Sequence, residues 1–178
     1  GRDWSSDVCS SDLEKAPDIM IRSAALVTAE EVTFSIVGDG PMRESCERLA
    51  ADLGMGDRLC FHGVLADAAR YLPAFDALAL TSWTEGTPMV LLEAMASSTP
   101  IVATAVGGVP HLLSSDEAWL CAPGDAPAIA AAIDELLTDS GQAGERASAA
   151  RRRFDEECSV DRWVQAYRDI YHGLQRQR

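Results

Sequence analysis

Residues 77–110 read ALALTSWTEGTPMVLLEAMASSTPIVATAVGGVP, and their order decides the architecture. Ala77 to Thr81 is a continuous apolar run of strand length. A polar loop, Ser82 to Thr87, leads to Pro88, whose fixed φ and missing amide hydrogen suit a first helical turn. The helix runs on through about Met95, Pro100 to Ala103 is a second apolar strand, and Gly107-Gly108-Val109-Pro110 opens a further short helix. Strands apolar along their whole length and joined by helices belong to a parallel sheet covered on both faces.

The same alternation extends in both directions. Upstream, Ile19, Ile21 and Ala24 to Leu26 predict a helix that lacks the strand before it. Val32 to Val37 (VTFSIV) is a strand that ends at the sharp turn Gly38-Asp39-Gly40-Pro41. Met42, Cys46, Leu49 and Leu53 recur at three- and four-residue steps, a helix that Gly54 and Gly56 stop. Arg58 to Phe61 is a strand, followed by a small helix near Ala68 to Leu72. Downstream come a last strand, Trp119 to Ala122, and a helix from Ala128 to Leu137. Two more helices are expected near 142–154 and 160–171. The fold class is therefore α/β, a Rossmann-like parallel sheet flanked by helices. Its ligands should bind at the carboxyl ends of the strands, beside helix N-termini.

Length and composition bound the function. A chain of 178 residues with 47% apolar content makes one globular domain with a real core. No apolar run is long enough to span a membrane, and no secretory pattern opens the chain. With 28 acidic against 15 basic residues the net charge is −13, which repels nucleic acid while leaving a small phosphorylated ligand open. Five scattered cysteines without CxxC fit a reducing compartment, so the expected location is cytoplasmic, membrane-peripheral only through another domain. Residues 1–13, GRDWSSDVCSSDL, show no strand or helix period and read as a non-native, adaptor-like segment; a polar tail is the alternative. Walker, HExxH, EF-hand and GxSxG patterns are absent, and neither a metal nor a cofactor is expected. Gly38 and Gly40 form only a GxG, open between a tight turn and ligand contact.

The chemistry concentrates in Ser82 to Met95. Gly86 allows a close backbone approach to a ligand. The free amides of the first turn, at Met89 and nearby, can receive a diphosphate with help from the helix dipole. Glu93 lies five residues beyond Pro88, about 7.5 Å along a helix, roughly the separation of a nucleotide's diphosphate from its ribose hydroxyls. A carboxylate there accepts both hydroxyl hydrogens, and Glu85, before the helix, lies where a transferring sugar would sit. The alternative is a pair of surface acids at an ordinary helix start, but Glu93 is set among Met89 to Leu92, Ala94 and Met95, where a carboxylate needs partners.

Glu85 and Glu93, with seven residues between them, match the E-x7-E motif of retaining glycosyltransferases of the GT-B fold. The surrounding EGTPMVLLEAMASSTPIVATAVGGVP resembles the group containing sucrose synthases and bacterial mannosyl- and glucosyltransferases. Glu14-Lys15-Ala16-Pro17-Asp18, the VGDGP turn, Phe61-His62-Gly63-Val64 and Pro123-Gly124-Asp125 extend the resemblance over most of 14–171. It implies the C-terminal, donor-binding domain of a two-domain enzyme, with residues 14–157 as that domain and a helix over 158–178 crossing to a missing N-terminal domain. The donor would be a UDP- or GDP-linked sugar, and the acceptor an unknown carbohydrate or lipid-linked hydroxyl. Glu93 would hold ribose, Glu85 the donor sugar, and the backbone of Gly86, Thr87, Pro88, Met89 and Val90 the sugar hydroxyls and diphosphate. Val64 would lie against the base, Gly38 and Gly40 would line the donor site, and Lys15 would bind phosphate; pairing of Lys15 with a nearby acid is its plain alternative.

The sequence departs from the family pattern at several points. The glycine-arginine pair expected before Lys15 falls at Cys9-Ser10, Ala16 replaces a common glycine, and Ser97-Ser98 replaces a small Ala-Gly pair. His111 stands where glutamate is frequent, and Ala118-Trp119 where glycine is common. Trp119 and Trp163 are expected to pack, Trp83 is weighed between packing and a sugar platform, and Arg151 to Arg153 reads as a solvated helix end. Trp163, Tyr167 and Tyr171 form a stripe that either crosses to the missing domain or joins the core. A sugar-nucleotide epimerase of similar shape and a noncatalytic binding module are the competing functions.

Overall fold

The structure, a computed structural model, describes residues 12–29 and 31–175. The adaptor-like reading of 1–13, up to residue 11, and the Cys9-Ser10 departure lie outside the described residues. In chain order the elements are α1 (Asp12–Lys15), α2 (Pro17–Leu26), β1 (Phe34–Val37), α3 (Arg43–Asp52), β2 (Leu59–Gly63), β3 (Leu78–Leu80), α4 (Met89–Ser97), β4 (Ile101–Thr104), α5 (Val109–Leu112), β5 (Trp119–Cys121), α6 (Ala126–Thr138), α7 (Ser140–Arg153) and α8 (Val160–Gln175). Short 3-10 stretches, Gly56–Arg58 and Ala68–Ala74, precede β2 and β3, and a π-helical segment, Phe154–Cys158, joins α7 to α8.

The pairings between the named strands are parallel, as expected from the apolar runs. The pairings form two ladders rather than one: β1 with β2, and β3-β4-β5 in that order. Among the described residues no ladder joins β1 to β3, a split that sequence periodicity does not reveal because it reports strands and not their neighbours.

Strand β4 shows why both faces are covered. All four of its residues are buried, and they alternate between two cores. Val102 joins Ile21, Ala24, Ile129 and Ile133 under α2 and α6, whereas Ile101 and Ala103 join Leu91, Met95 and Ala150 under α4 and α7. Side chains of successive strand residues point to opposite faces, so a strand flanked by helices on both sides must be apolar throughout. Helix α6 starts on an aspartate cap, Asp125 accepting from Ala128 N at 3.0 Å, and Asp139 caps α7 in the same way through Gln142 N at 2.9 Å. Asp134 on α6 gathers Thr28 N (3.0 Å), Thr28 Oγ1 (2.8 Å) and Ala29 N (2.9 Å), tying the end of α2 to it. Burial alone would raise the Asp134 carboxyl; these donors and the Arg58 charge outweigh it and hold the group below the usual carboxylate range.

Several expectations are corrected. Pro88 is not inside the first turn but at the N-cap, with ψ 113, so α4 begins at Met89. Trp163 is not a packing residue: it is 61% exposed on α8, its ring tilted at 45° against that of Tyr167 with 4.4 Å between centroids. Val160, Tyr167, Ile170 and Tyr171 are exposed with it, so the stripe does not join this domain's core. Trp119 is buried as expected, under the Arg146 guanidinium at 4.3 Å. Arg153 is not merely solvated, since it bonds Glu117 (3.2 Å) and the His111 carbonyl (3.0 Å). Two departures from glycine, Ala16 and Ser98, both fall in the left-handed region, at φ 50 and 57, where a Cβ is strained.

Candidate functional site

The loops that carry Gly38 and Gly40, Gly86, Gly107 and Gly108, and Gly124 each follow the carboxyl end of a strand, so they gather along one edge. After β1, Gly38 takes φ 131 and its amide donates to the Gly63 carbonyl at 2.8 Å, fastening the ends of β1 and β2 together. The Gly40 amide is engaged by Asp39 Oδ1 at 2.8 Å. Val64, the next residue after β2, leaves most of its side chain open.

The loop between β3 and α4 is pinned residue by residue. Thr104 Oγ1 on β4 donates to the Ser82 carbonyl at 2.7 Å. Trp83 N donates to the Glu14 carbonyl at 2.6 Å, and Gly108 N to the Glu85 carbonyl at 3.1 Å. Two glycines make this closeness possible. A Cβ on Gly107 would stand 1.8 Å from the Glu85 carbonyl oxygen, and one on Gly108 1.9 Å from that of Gly86. From the other side, a Cβ on Gly124 would meet the Trp83 ring at 2.3 Å. Trp83, read as slightly favouring the core, is instead half exposed, braced on this glycine beside Glu85.

The loop presents Glu85 with its side chain 7% exposed. Glu85 Oε1 accepts from Ser82 Oγ at 2.6 Å and from Lys15 Nζ at 2.7 Å. The structure brings Glu85 and Lys15, both singled out in the sequence, into one ion pair, which is the plain alternative weighed for Lys15. Lys15 in turn is set by its backbone: Thr81 Oγ1 at the end of β3 donates to the Lys15 and Ala16 carbonyls, at 3.2 and 3.1 Å.

At the start of α4 the amides of Met89 and Val90 have no acceptor among the described residues, and Pro88 offers no side-chain cap. Gly86 and Thr87 are exposed, with open space where a Cβ on Gly86 would point, and Val90 is partly buried. Glu93, on the same helix, is partly buried, and burial pushes its carboxyl above the ordinary carboxylate range. Among the described residues no donor reaches that carboxylate, so none of them compensates its desolvation. The edge thus offers free amides, a mobile-length ammonium and two carboxylates of different character, a combination suited to a ligand carrying both phosphate and hydroxyl groups. No group of three His, Cys, Asp or Glu among the described residues could hold a metal ion, and none of their helices is long and apolar enough to cross a membrane.

Sequence reasoning missed Ser82, Thr104 and the bracing by Gly107, Gly108 and Gly124. Ser82 stands three residues before Glu85, the one local cue. The glycine contacts join loops about twenty and forty residues apart and leave no periodic trace. His111 contributes its carbonyl to Arg153.

Residues 8–139 match the family model described as glycosyl transferases group 1. The chain is 31% identical over 165 residues to N-acetyl-alpha-D-glucosaminyl L-malate synthase of Bacillus anthracis, covering 92% of this chain and 43% of that protein. It is 35% identical over 174 residues to D-inositol 3-phosphate glycosyltransferase of Salinispora arenicola, covering 88% and 38%. Among solved structures, Anabaena HepE in complex with UDP superposes with a TM-score of 0.83 at 27% identity, over 91% of this chain and 45% of that one. The chain spans about two fifths of the length of these curated relatives.

Proposed function

This chain belongs to the glycosyl transferases group 1 family, and we propose that it is the nucleotide-sugar-binding half of a retaining glycosyltransferase of the GT-B fold. The observation that carries the reading is Glu93. A carboxylate that is partly buried, raised in pKa and without a donor is costly unless a ligand supplies the missing hydrogen bonds. Two adjacent ribose hydroxyls supply them, and the free amides of Met89 and Val90 at the head of the same helix receive the diphosphate. Glu85 meets the donor sugar. Gly86, Thr87 and Pro88 bring backbone to it, Val64 covers the base, and Gly38 and Gly40 shape that end of the cleft.

The reaction is transfer of a hexosyl group from the nucleoside diphosphate to an acceptor hydroxyl with retention at the anomeric carbon. Negative charge grows on the departing diphosphate as the glycosidic bond breaks. Lys15, a long and half-exposed ammonium paired with Glu85, turns to that charge and stabilises it. Residues 14–157 serve as the donor domain. The exposed stripe of α8 packs on an N-terminal domain that brings the carbohydrate or lipid-linked acceptor, in the cytoplasm or at its membrane surface.

Calorimetric titration of UDP-glucose, UDP-GlcNAc, GDP-mannose and ADP-glucose into the chain tests this. The UDP complex of HepE makes uridine donors the first to try. One donor should bind saturably, and Glu93→Ala should weaken it about a hundredfold, the loss of two hydrogen bonds to a charged group. Unchanged affinity in a folded Glu93→Ala chain rejects the ribose role. Nucleotide release without any acceptor would favour an epimerase instead.

A further inference from the structure

The two donors on Glu85 Oε1 differ in kind. Lys15 reaches it from a half-exposed position on a flexible four-carbon stem, so it can leave for another anion. Ser82 is fully buried at the end of β3, its side chain is one carbon long, and its own carbonyl is fixed by Thr104 Oγ1. Its hydroxyl has nowhere else to go. The 2.6 Å separation is that of a charge-assisted O–H···O⁻ bond. Both donors converge on Oε1, and among the described residues nothing reaches Oε2.

Resting on the donor-site reading above, we infer that Ser82 is a positioning residue for sugar recognition: it fixes the Glu85 carboxylate through Oε1 so that Oε2 is presented to a hydroxyl of the donor sugar. When Lys15 turns to the diphosphate, Ser82 remains as the one donor of this loop still holding a nearly desolvated carboxylate. Without it, Glu85 is free to rotate towards solvent, which costs the sugar contact and not the nucleotide contact. Ser82 itself touches no substrate.

The test is a double-mutant cycle read in two ligands. Ser82→Ala, Glu85→Ala and the double variant of the full chain are titrated with the preferred donor of the four nucleotide sugars and with its parent nucleoside diphosphate. The diphosphate serves as internal control for folding and for the phosphate and ribose sites. Ser82→Ala should weaken the nucleotide sugar about tenfold, the loss of one charge-assisted hydrogen bond, and leave the diphosphate within about twofold. In the Glu85→Ala background the same change should have no further effect, because its target is gone. Ser82→Thr, which keeps the hydroxyl, should recover most of the sugar-specific affinity.

Equal weakening of both ligands by Ser82→Ala overturns the inference and assigns Ser82 a structural role. A full additional loss in the double variant overturns it as well, since Ser82 would then act independently of Glu85. If the unchanged chain binds the sugar nucleotide no better than the diphosphate, the Oε2 contact does not exist and the inference fails while the nucleotide site stands. Binding of none of the nucleotides rejects the donor-site reading and this inference with it.

Discussion

Replacing Gly108 by alanine adds one methyl group at one of the two tightest points of the candidate site. Gly108 has an ordinary φ of −78, so alanine introduces no backbone strain there, and the whole effect is the contact it creates. The new Cβ would stand 1.9 Å from the Gly86 carbonyl oxygen, about 1.5 Å short of an ordinary van der Waals contact. The α5 side can give little: Val109 is fully buried, and the Gly108 carbonyl holds His111 N and Leu112 N at 3.1 and 3.2 Å. Gly86 must retreat, carrying Thr87, Pro88 and the amides of Met89 and Val90 with it. A shift of about 1 Å in a positioned group is worth up to about a hundredfold, so the donor should bind roughly ten- to a hundredfold more weakly, about 1.4–2.7 kcal/mol. The overpacking should also cost about 1–3 kcal/mol of stability. Gly144→Ala is the control, since that glycine lies on an exposed part of α7 with open space around its Cβ position. It should stabilise by about 0.5–1 kcal/mol and leave binding alone. Calorimetry with the donor and urea unfolding of both variants give the two readings. A Gly108→Ala chain that binds donor with unchanged affinity would refute the idea that the 107–108 turn sets the loop.

Glu93→Gln should separate stability from function through pH. Because burial raises the folded-state carboxyl above its unfolded value, the folded chain binds more protons between the two, and its stability falls as pH rises through that window. The glutamine variant should therefore be at least as stable as the parent at pH 8, with the difference closing near about pH 4, and a constant offset at both pH values in urea melts would contradict this. Donor affinity of the parent should fall as pH drops through the raised carboxyl pKa, and the glutamine variant should lack that limb. Ser98→Gly should raise stability by about 0.5–1 kcal/mol, since Ser98 ends α4 at φ 57, and a thermal midpoint that stays or falls would count against strain at that cap.

What the sequence made legible follows from what repeats along a chain. Apolar runs such as Ile101 to Thr104 and stepped faces such as Ile129, Ile133 and Leu136 are local, and each appears where it was expected to within about two residues. Glu85 and Glu93 stood out for a different reason, because two glutamates at that spacing match a known motif, and Lys15 stood out through its resemblance to a second one. The grip on the loop was not legible. Ser82 is an unremarkable serine until Glu85 folds back onto it, and the approach of Gly107 and Gly108 to Glu85 and Gly86 is decided by how β4 lies beside β3. Trp83 was misjudged for the same reason: its exposure depends on Gly124, which arrives from the far end of β5. The family departures at Ala16 and Ser98 were visible as letters, but their left-handed backbone was not.

The bracing of Trp83 gives the molecule an optical handle. An indole that is half open to water and wedged against Gly124 emits from an environment that changes when anything settles beside Glu85. Trp119 is enclosed under Arg146, and Trp163 stands on α8, outside the loop. Intrinsic emission at Trp83 can therefore follow occupation of this edge of the sheet in real time, without a label, and a Trp83→Phe chain, which keeps the other three tryptophans, supplies the reference from which that signal is obtained by difference.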